Sequence, residues 1–193
     1  MNNNVKDFFN SIADKWNNDD NNFDVINYLF SLINIKKNED VIDLGCGKGV
    51  ITPIIYKYTN KQVLGIDLSN KMIDYAKKIN SDINKYKYVC ADFMDYNFNQ
   101  KFNKIIIFNA YPHFLDKEAL ASKCFDTLKD GGILVIMHDL GKDRLNSFHH
   151  EHANKISNGL LTPKEEYLSF KDKFILDKYL DENDKYLMIL RKI

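Results

Sequence analysis

The stretch Val41-Ile42-Asp43-Leu44-Gly45-Cys46-Gly47-Lys48-Gly49 sets a carboxylate near the end of an apolar run and then places glycine at every second position. Glycines in such a turn let the backbone bend sharply and approach a ligand with no Cβ in the way. Amides at the start of the helix that follows, near Val50, can face the same ligand. The spacing Gly-x-Gly-x-Gly brings the third glycine earlier than in the Gly-x-Gly-x-x-Gly of dinucleotide sites. A second run, Gln62 to Asp67, ends in an acid roughly 20 residues beyond the loop, the separation of a carboxylate that accepts ribose hydroxyls. A third, Tyr88-Val89-Cys90-Ala91, stops at Asp92 with Phe93 next. All five histidines, His113, His138, His149, His150 and His152, fall in one stretch of the chain. Imidazole suits proton transfer near neutrality, its ordinary pKa being about 6.5.

These residues need a scaffold that brings strand ends together. The apolar runs Val41–Leu44, Val63–Ile66, Ile105–Phe108 and Ile133–Met137 alternate with helical stretches, the pattern of parallel βαβ units. Such a sheet binds ligands beyond the carboxyl ends of its strands, which sets Asp43, Asp67, Asp92, Asn109 and His138 on one rim. Ser69 is a helix N-cap by type, and Thr162-Pro163-Lys164-Glu165 reads as a capping box with proline at the first helical position. Two alternating runs, Phe174 to Leu180 and Lys185 to Arg191, joined at Asp181-Glu182-Asn183-Asp184, form a hairpin signal. Ahead of the first strand, Val5 to Trp16 and Phe23 to Ile33 read as helices separated by the polar run Asn17 to Asn22.

The first motif, (V/I)-x-D-x-G-x-G-x-G, resembles that of the class I S-adenosylmethionine-dependent methyltransferases. Later landmarks agree in order and spacing: Gly65-Ile66-Asp67-Leu68-Ser69 with Met72-Ile73, then Asp92-Phe93, the turn Leu128-Lys129-Asp130-Gly131-Gly132, and the terminal hairpin. The resemblance covers about residues 36 to 193. It implies an α/β, Rossmann-like three-layer sandwich whose mostly parallel seven-stranded sheet closes in a C-terminal antiparallel hairpin. One domain spans 1–193, with a helical lid over 1–35 and a cofactor-binding core over 36–193. S-adenosyl-L-methionine is the implied cofactor and S-adenosyl-L-homocysteine its product. By resemblance, Asp43, Gly45, Gly47 and Gly49 shape the methionine side and Asp67 holds the ribose. Leu68, Met72, Asp92 and Phe93 surround the adenine, and Asn109 contacts the methionine end or caps the turn after its strand. The opening F-F-x-x-x-A-x-x-W, Phe8 to Trp16, resembles small-molecule methyltransferases in which this segment folds over cofactor and substrate; its apolar face equally serves to dock a helix.

The motif after the fourth strand, Asn109-Ala110-Tyr111-Pro112, is not the N-P-P-Y of amino-group nucleic-acid methylation. With a net charge of +0 and a pI near 6.9, a polyanion surface is not the expected business of the chain. Apolar runs are strand-length, so no membrane span is expected. Cys46, Cys90 and Cys124 lack zinc-type spacing and read as reduced thiols of a cytoplasmic protein.

His113 and His138, at strand ends, are the candidate general base or substrate ligand, and Tyr111 either lines the pocket or belongs to the core. The trio His149, His150 and His152 reads as surface residues or as metal ligands with His138 and Asp139; no metal set is assigned. Arg144 has the fork for an anionic substrate or is solvated, Lys48 holds the cofactor carboxylate or is solvated, and Cys46 is passive. The expected function is methyl transfer to a small molecule. Cofactor binding without catalysis is the alternative, and an NAD-dependent oxidoreductase, disfavoured by the early third glycine, is the remaining one.

Overall fold

In the computed structural model, residues 3–152 and 156–193 are described. Seven strands form a single sheet in the order β3-β2-β1-β4-β5-β7-β6. They are β1 Val41–Leu44, β2 Val63–Asp67, β3 Tyr86–Cys90, β4 Phe102–Phe108, β5 Leu128–His138, β6 Phe174–Glu182 and β7 Lys185–Lys192. The first five pair in parallel, and β7 runs antiparallel to both β5 and β6. The chain reverses direction in the sheet order after β3, so the crevice beside β1 and β4 is the switch point where ligands bind.

Alternation along the central strands divides the core in two. Ile105 and Ile107 of β4, with Leu134 and Ile136 of β5, pack beneath helix α5 (Lys117–Thr127) through Leu120, Ala121 and Cys124. Ile106, Phe108, Val135 and Met137 point the other way, onto Ile26, Leu29 and Phe30 of α2 (Phe23–Ser31) and Ile55 of α3 (Thr52–Thr59). Strands covered on both faces need apolar residues at every position, which is why β1 and the end of β4 are unbroken apolar runs apart from Asp43. Each fully buried Ile or Leu contributes roughly 1.5–3 kcal/mol.

The remaining helices are α1 (Asn3–Ile12), α4 (Asn70–Ile79), α6 (Lys142–His152) and α7 (Pro163–Glu166). The expected caps form: Ser69 Oγ accepts from Met72 N, and Thr162 and Glu165 complete the capping box. The first sequence helix is shorter than its pattern, because after Ile12 the chain tightens into a 3-10 turn, Ala13–Lys15. The fifth strand begins earlier than expected, at Leu128, which pairs with Phe102 ahead of a register shift.

Candidate active site: two joined chambers at the strand ends

Glycine makes the loop after β1 possible. Gly45, Gly47 and Gly49 all have positive φ, at 71°, 52° and 77°, a region that costs other L-residues about 1–2 kcal/mol. Gly45 N and Cys46 N donate to Ile66 O, tying the loop to β2. Gly47 N donates to Asp67 Oδ2 at 2.9 Å and Ser69 N to Asp67 Oδ1 at 2.8 Å. One carboxylate therefore holds the glycine loop and the start of α4 together, and two donors leave part of its accepting capacity unused. Burial pushes its pKa up, against the pull of the amides of Ser69, Gly47 and Leu68.

Asp43 is fully enclosed and accepts from Thr52 Oγ1 at 2.5 Å. Burial raises its carboxyl to about 7, the Thr52 hydroxyl opposing and the Asp67 charge adding to the rise. An acid whose folded pKa is raised keeps its proton in the native state where the unfolded chain has lost it. Its contribution to stability therefore falls as pH rises from about 4, the unfolded value, to about 7, and is level above. In thermal melts of the ligand-free protein, Asp43→Asn should gain on the wild type between about pH 5 and 7. Parallel curves would contradict the assignment.

Around this loop lies a cleft with about 1010 Å³ of empty space, its mouth included. Asp43, Gly45, Gly47, Asp67, Leu68, Met72, Asp92, Phe93, Asn109 and His113 all line it. Gly49 does not; an added Cβ there would meet the Tyr88 hydroxyl at 2.5 Å and Asn80 Nδ2 at 2.7 Å. Its role is to let the loop pass beneath β3 and α4. Asp92 Oδ1 accepts from Met94 N, which shapes the turn that presents Phe93.

A second chamber, with about 1820 Å³ of empty space, adjoins the first. Phe9, Trp16, Asn21, Asn109 and His113 line both. His113 Nδ1 is 2.9 Å from Ile156 O. A carbonyl only accepts, so the neutral ring carries its proton on Nδ1 and its lone pair on Nε2. Asn109 sits at φ 52°, a conformation asparagine tolerates; its Nδ2 donates to Asp139 Oδ1 at 2.8 Å, and Asp139 Oδ2 accepts from Asn22 N at 2.9 Å. Asp139 thus joins the two strand ends to the N-terminal segment. Its charge was read in the sequence only as a metal option.

Tyr111 and His138 stand apart from both chambers. Tyr111 is fully buried; its hydroxyl donates to Glu166 Oε2 at 2.6 Å, and Lys117 Nζ lies 3.5 Å from its ring centroid. Burial pushes the tyrosine up and Lys117 down to about 8. His138 shares a face of β5 with Leu134 and Ile136, and so points into the core beside Tyr186, 5.9 Å between ring centroids. Tyr111→Phe strips a donor from a buried carboxylate and should cost about 1–3 kcal/mol of stability. Cofactor affinity should stay within about twofold, readable by calorimetry; a larger loss would return Tyr111 to the ligand site.

Lys48 is buried rather than solvated: it lines the first chamber, and Nζ donates to Trp16 O at 2.6 Å and lies 4.1 Å from the Tyr75 ring, holding the N-terminal segment on the glycine loop. The Cys46 thiol is buried and pushed up, as a passive residue would be. Arg144 lines the second chamber. His150 is exposed, while the side chains of His149 and His152 lie outside the described ones. Among the described residues no three His, Cys, Asp or Glu side chains converge as a metal site, and no helix is long and apolar enough to cross a membrane.

The family described as "Methyltransferase domain" matches residues 41–132, from β1 through the turn inside β5. Sterol 24-C-methyltransferase of Candida albicans is 29% identical over 138 residues, covering 69% of this chain and 36% of the relative. The malonyl-[acyl-carrier protein] O-methyltransferase of Acetivibrio thermocellus is 27% identical over 112 residues, covering 56% and 39%. The chain thus spans little more than a third of the length of these relatives. In the complex between the Haloferax volcanii Trm112 methyltransferase activator and the putative methyltransferase, one chain superposes with a TM-score of 0.83 at 15% identity, each chain covered to 97%.

Residues 41–132 thus match a methyltransferase domain, and the fold is that of S-adenosylmethionine-dependent methyltransferases. The chemistry of the first chamber fits S-adenosylmethionine. The chain sets the Asp67 carboxylate beside an apolar lining of Leu68, Met72 and Phe93 with Asp92, a chemistry that suits paired hydroxyls and a purine, while the amides of Gly45, Cys46, Gly47 and Gly49 are bonded to Ile66 O, Asp67 and Cys46 O. Its N-terminal segment is latched to the cofactor side, with Asn10 Oδ1 accepting from Ser69 Oγ at 2.6 Å and Tyr75 OH donating to Asp14 at 2.8 Å.

Proposed function

We propose that the chain transfers the methyl group of S-adenosylmethionine to a small-molecule acceptor held in the second chamber. The observation that carries this reading is the shared wall of Phe9, Trp16, Asn21, Asn109 and His113, which leads from the cofactor cleft into a second, solvent-open chamber. The sterol named in the activity of one relative supports a small-molecule acceptor.

The cofactor supplies an electrophilic methyl on a sulfonium. The chain's residues hold, orient and exclude water. Asp67 grips the ribose hydroxyls, and Asp92 and Phe93 seat the adenine. The Gly45 and Gly47 turn leaves room for the methionine end, with Asp43 behind it and Asn109 beside it. Positioning of this kind supplies much of the acceleration of an in-line displacement. His113 lines both chambers and takes the proton of an acceptor that must lose one. Residues 3–22 act as the lid, docked through Val5, Phe8 and Phe9 against Leu68 and Ile156. The free thiols Cys46, Cys90 and Cys124 fit work in a reducing compartment such as the cytoplasm.

The test uses S-adenosylmethionine with a deuterated methyl group, incubated with protein and a cell extract separated into small-molecule, protein and nucleic-acid fractions. Label is expected in the small-molecule fraction, dependent on His113. Label confined to protein or nucleic acid would overturn the acceptor class, and label in none would favour cofactor binding without catalysis.

A further inference from the structure

We propose that the acceptor is an amine on an apolar or aromatic body, recognised by Asp139 at the junction of the two chambers. This rests on the reading of the second chamber as the acceptor site. The body of that chamber is apolar: Phe8, Ile12, Leu140, Leu145 and Phe148 line it away from the shared wall. Its reacting end is different. There Asp139 contacts Asn109 of the shared wall. Both hydrogen-bond donors to Asp139, Asn109 Nδ2 and Asn22 N, are neutral, and among the described residues no cation pairs with it. A carboxylate has about four lone-pair sites, so two remain for a ligand.

The other charges of the chamber do not offset this one. Lys15 and Arg144 are exposed. Asp184, also in the lining, is 2.6 Å from Lys185 Nζ, and the positive charges of Lys185 and Arg144 hold its carboxyl below the usual range. Aromatic rings complete the reacting end: Phe9 packs edge-on to Trp16, 6.1 Å between centroids, and to His113 at 4.9 Å. Aromatic side chains and a carboxylate in one lining are the residue types that receive an ammonium group.

Charge movement during transfer selects among acceptors. The amine enters as an ammonium, gives one proton to His113 Nε2, and its lone pair attacks the methyl carbon while the carbon–sulfur electron pair returns to sulfur. Positive charge therefore leaves the cofactor side and appears on nitrogen, in the chamber that holds Asp139. A carboxylate fixed there favours the transition state, because it is oriented before the charge arrives. For a carboxylate or phosphate acceptor the same transfer annihilates charge, and Asp139 opposes binding from the start.

Three probes of similar shape test this: phenethylamine, phenethyl alcohol and hydrocinnamate, titrated into protein saturated with S-adenosylhomocysteine. Trp16, the single tryptophan, lines both chambers and reports occupancy by fluorescence. Phenethylamine is expected to bind at least about tenfold tighter than either of the others, the effect of roughly one charge-assisted contact. In Asp139→Asn the amine-to-alcohol ratio should fall toward one. S-adenosylhomocysteine affinity, measured in the same sample, reports whether that variant still folds, and the wild-type comparison needs no variant. Tightest binding of hydrocinnamate, binding of none of the three, or an amine preference that survives in folded Asp139→Asn would overturn the proposal. If S-adenosylhomocysteine itself fails to bind, it is the methyl-transfer reading that fails.

Discussion

Replacing Asp67 by alanine will weaken S-adenosylhomocysteine binding by about a hundredfold or more while the protein stays folded. Asp67 accepts from Gly47 N and Ser69 N, and so holds the glycine loop against the start of α4. In the proposed complex its remaining lone pairs meet the cofactor hydroxyls. Hydrogen bonds to a charged group are worth about 1.5–3 kcal/mol each, and tenfold in affinity is about 1.4 kcal/mol. Loss of two ligand contacts alone reaches the stated size. Stability should fall by about 1–3 kcal/mol, because Gly47 N and Ser69 N lose their acceptor, a loss that relief from burying the carboxylate partly offsets. Calorimetry and circular dichroism on the same variant check both halves. Unchanged affinity in a folded protein would remove Asp67 from the site.

Two glycines two positions apart should fail in opposite ways. A Cβ on Gly45 would lie 2.5 Å from Ala110 Cβ, and the residue holds φ at 71°. Gly45→Ala therefore combines the left-handed penalty, about 1–2 kcal/mol, with displacement of the loop after β4. A total of about 2–4 kcal/mol corresponds to roughly 5–15 °C in Tm for a chain of this size. At Gly47 an added Cβ meets no protein atom within 4 Å, since it points into open space. Gly47→Ala should lose only the left-handed term in stability, yet obstruct the backbone approach that a cofactor needs. Melting curves and binding isotherms on the pair separate the cases. Equal Tm losses for both, or full cofactor affinity in Gly47→Ala, would contradict the roles given to them.

The fold was largely legible because its strands are buried on both faces and its helices carry explicit caps. Asp43, Asp67 and Asp92 each stand next to a strand's carboxyl end or in the turn beyond it, and a sheet of this topology converges those ends on one crevice. His138 shows where strand-end reasoning stops. Being at the end of β5 does not say which way a side chain points, and the two-residue period that buries Leu134 and Ile136 carries His138 into the core with them. The next residue, Asp139, reaches the chamber instead. Tyr111 was ambiguous for a related reason: its hydroxyl partner Glu166 lies 55 residues away, and nothing local announces that pairing. Lys48 likewise gains its role from a backbone carbonyl 32 positions earlier, Trp16 O, which no motif records.

The central claim is that the first chamber binds S-adenosylmethionine and not a dinucleotide. Its most direct measurement is a calorimetric titration of the wild-type protein with S-adenosylhomocysteine, with NADH titrated in parallel. One-to-one saturable binding of S-adenosylhomocysteine near the micromolar range, about −8 kcal/mol, with no saturable response to NADH, is the predicted result. Saturable NADH binding that S-adenosylhomocysteine fails to displace, or no binding of S-adenosylhomocysteine by folded protein, would contradict it.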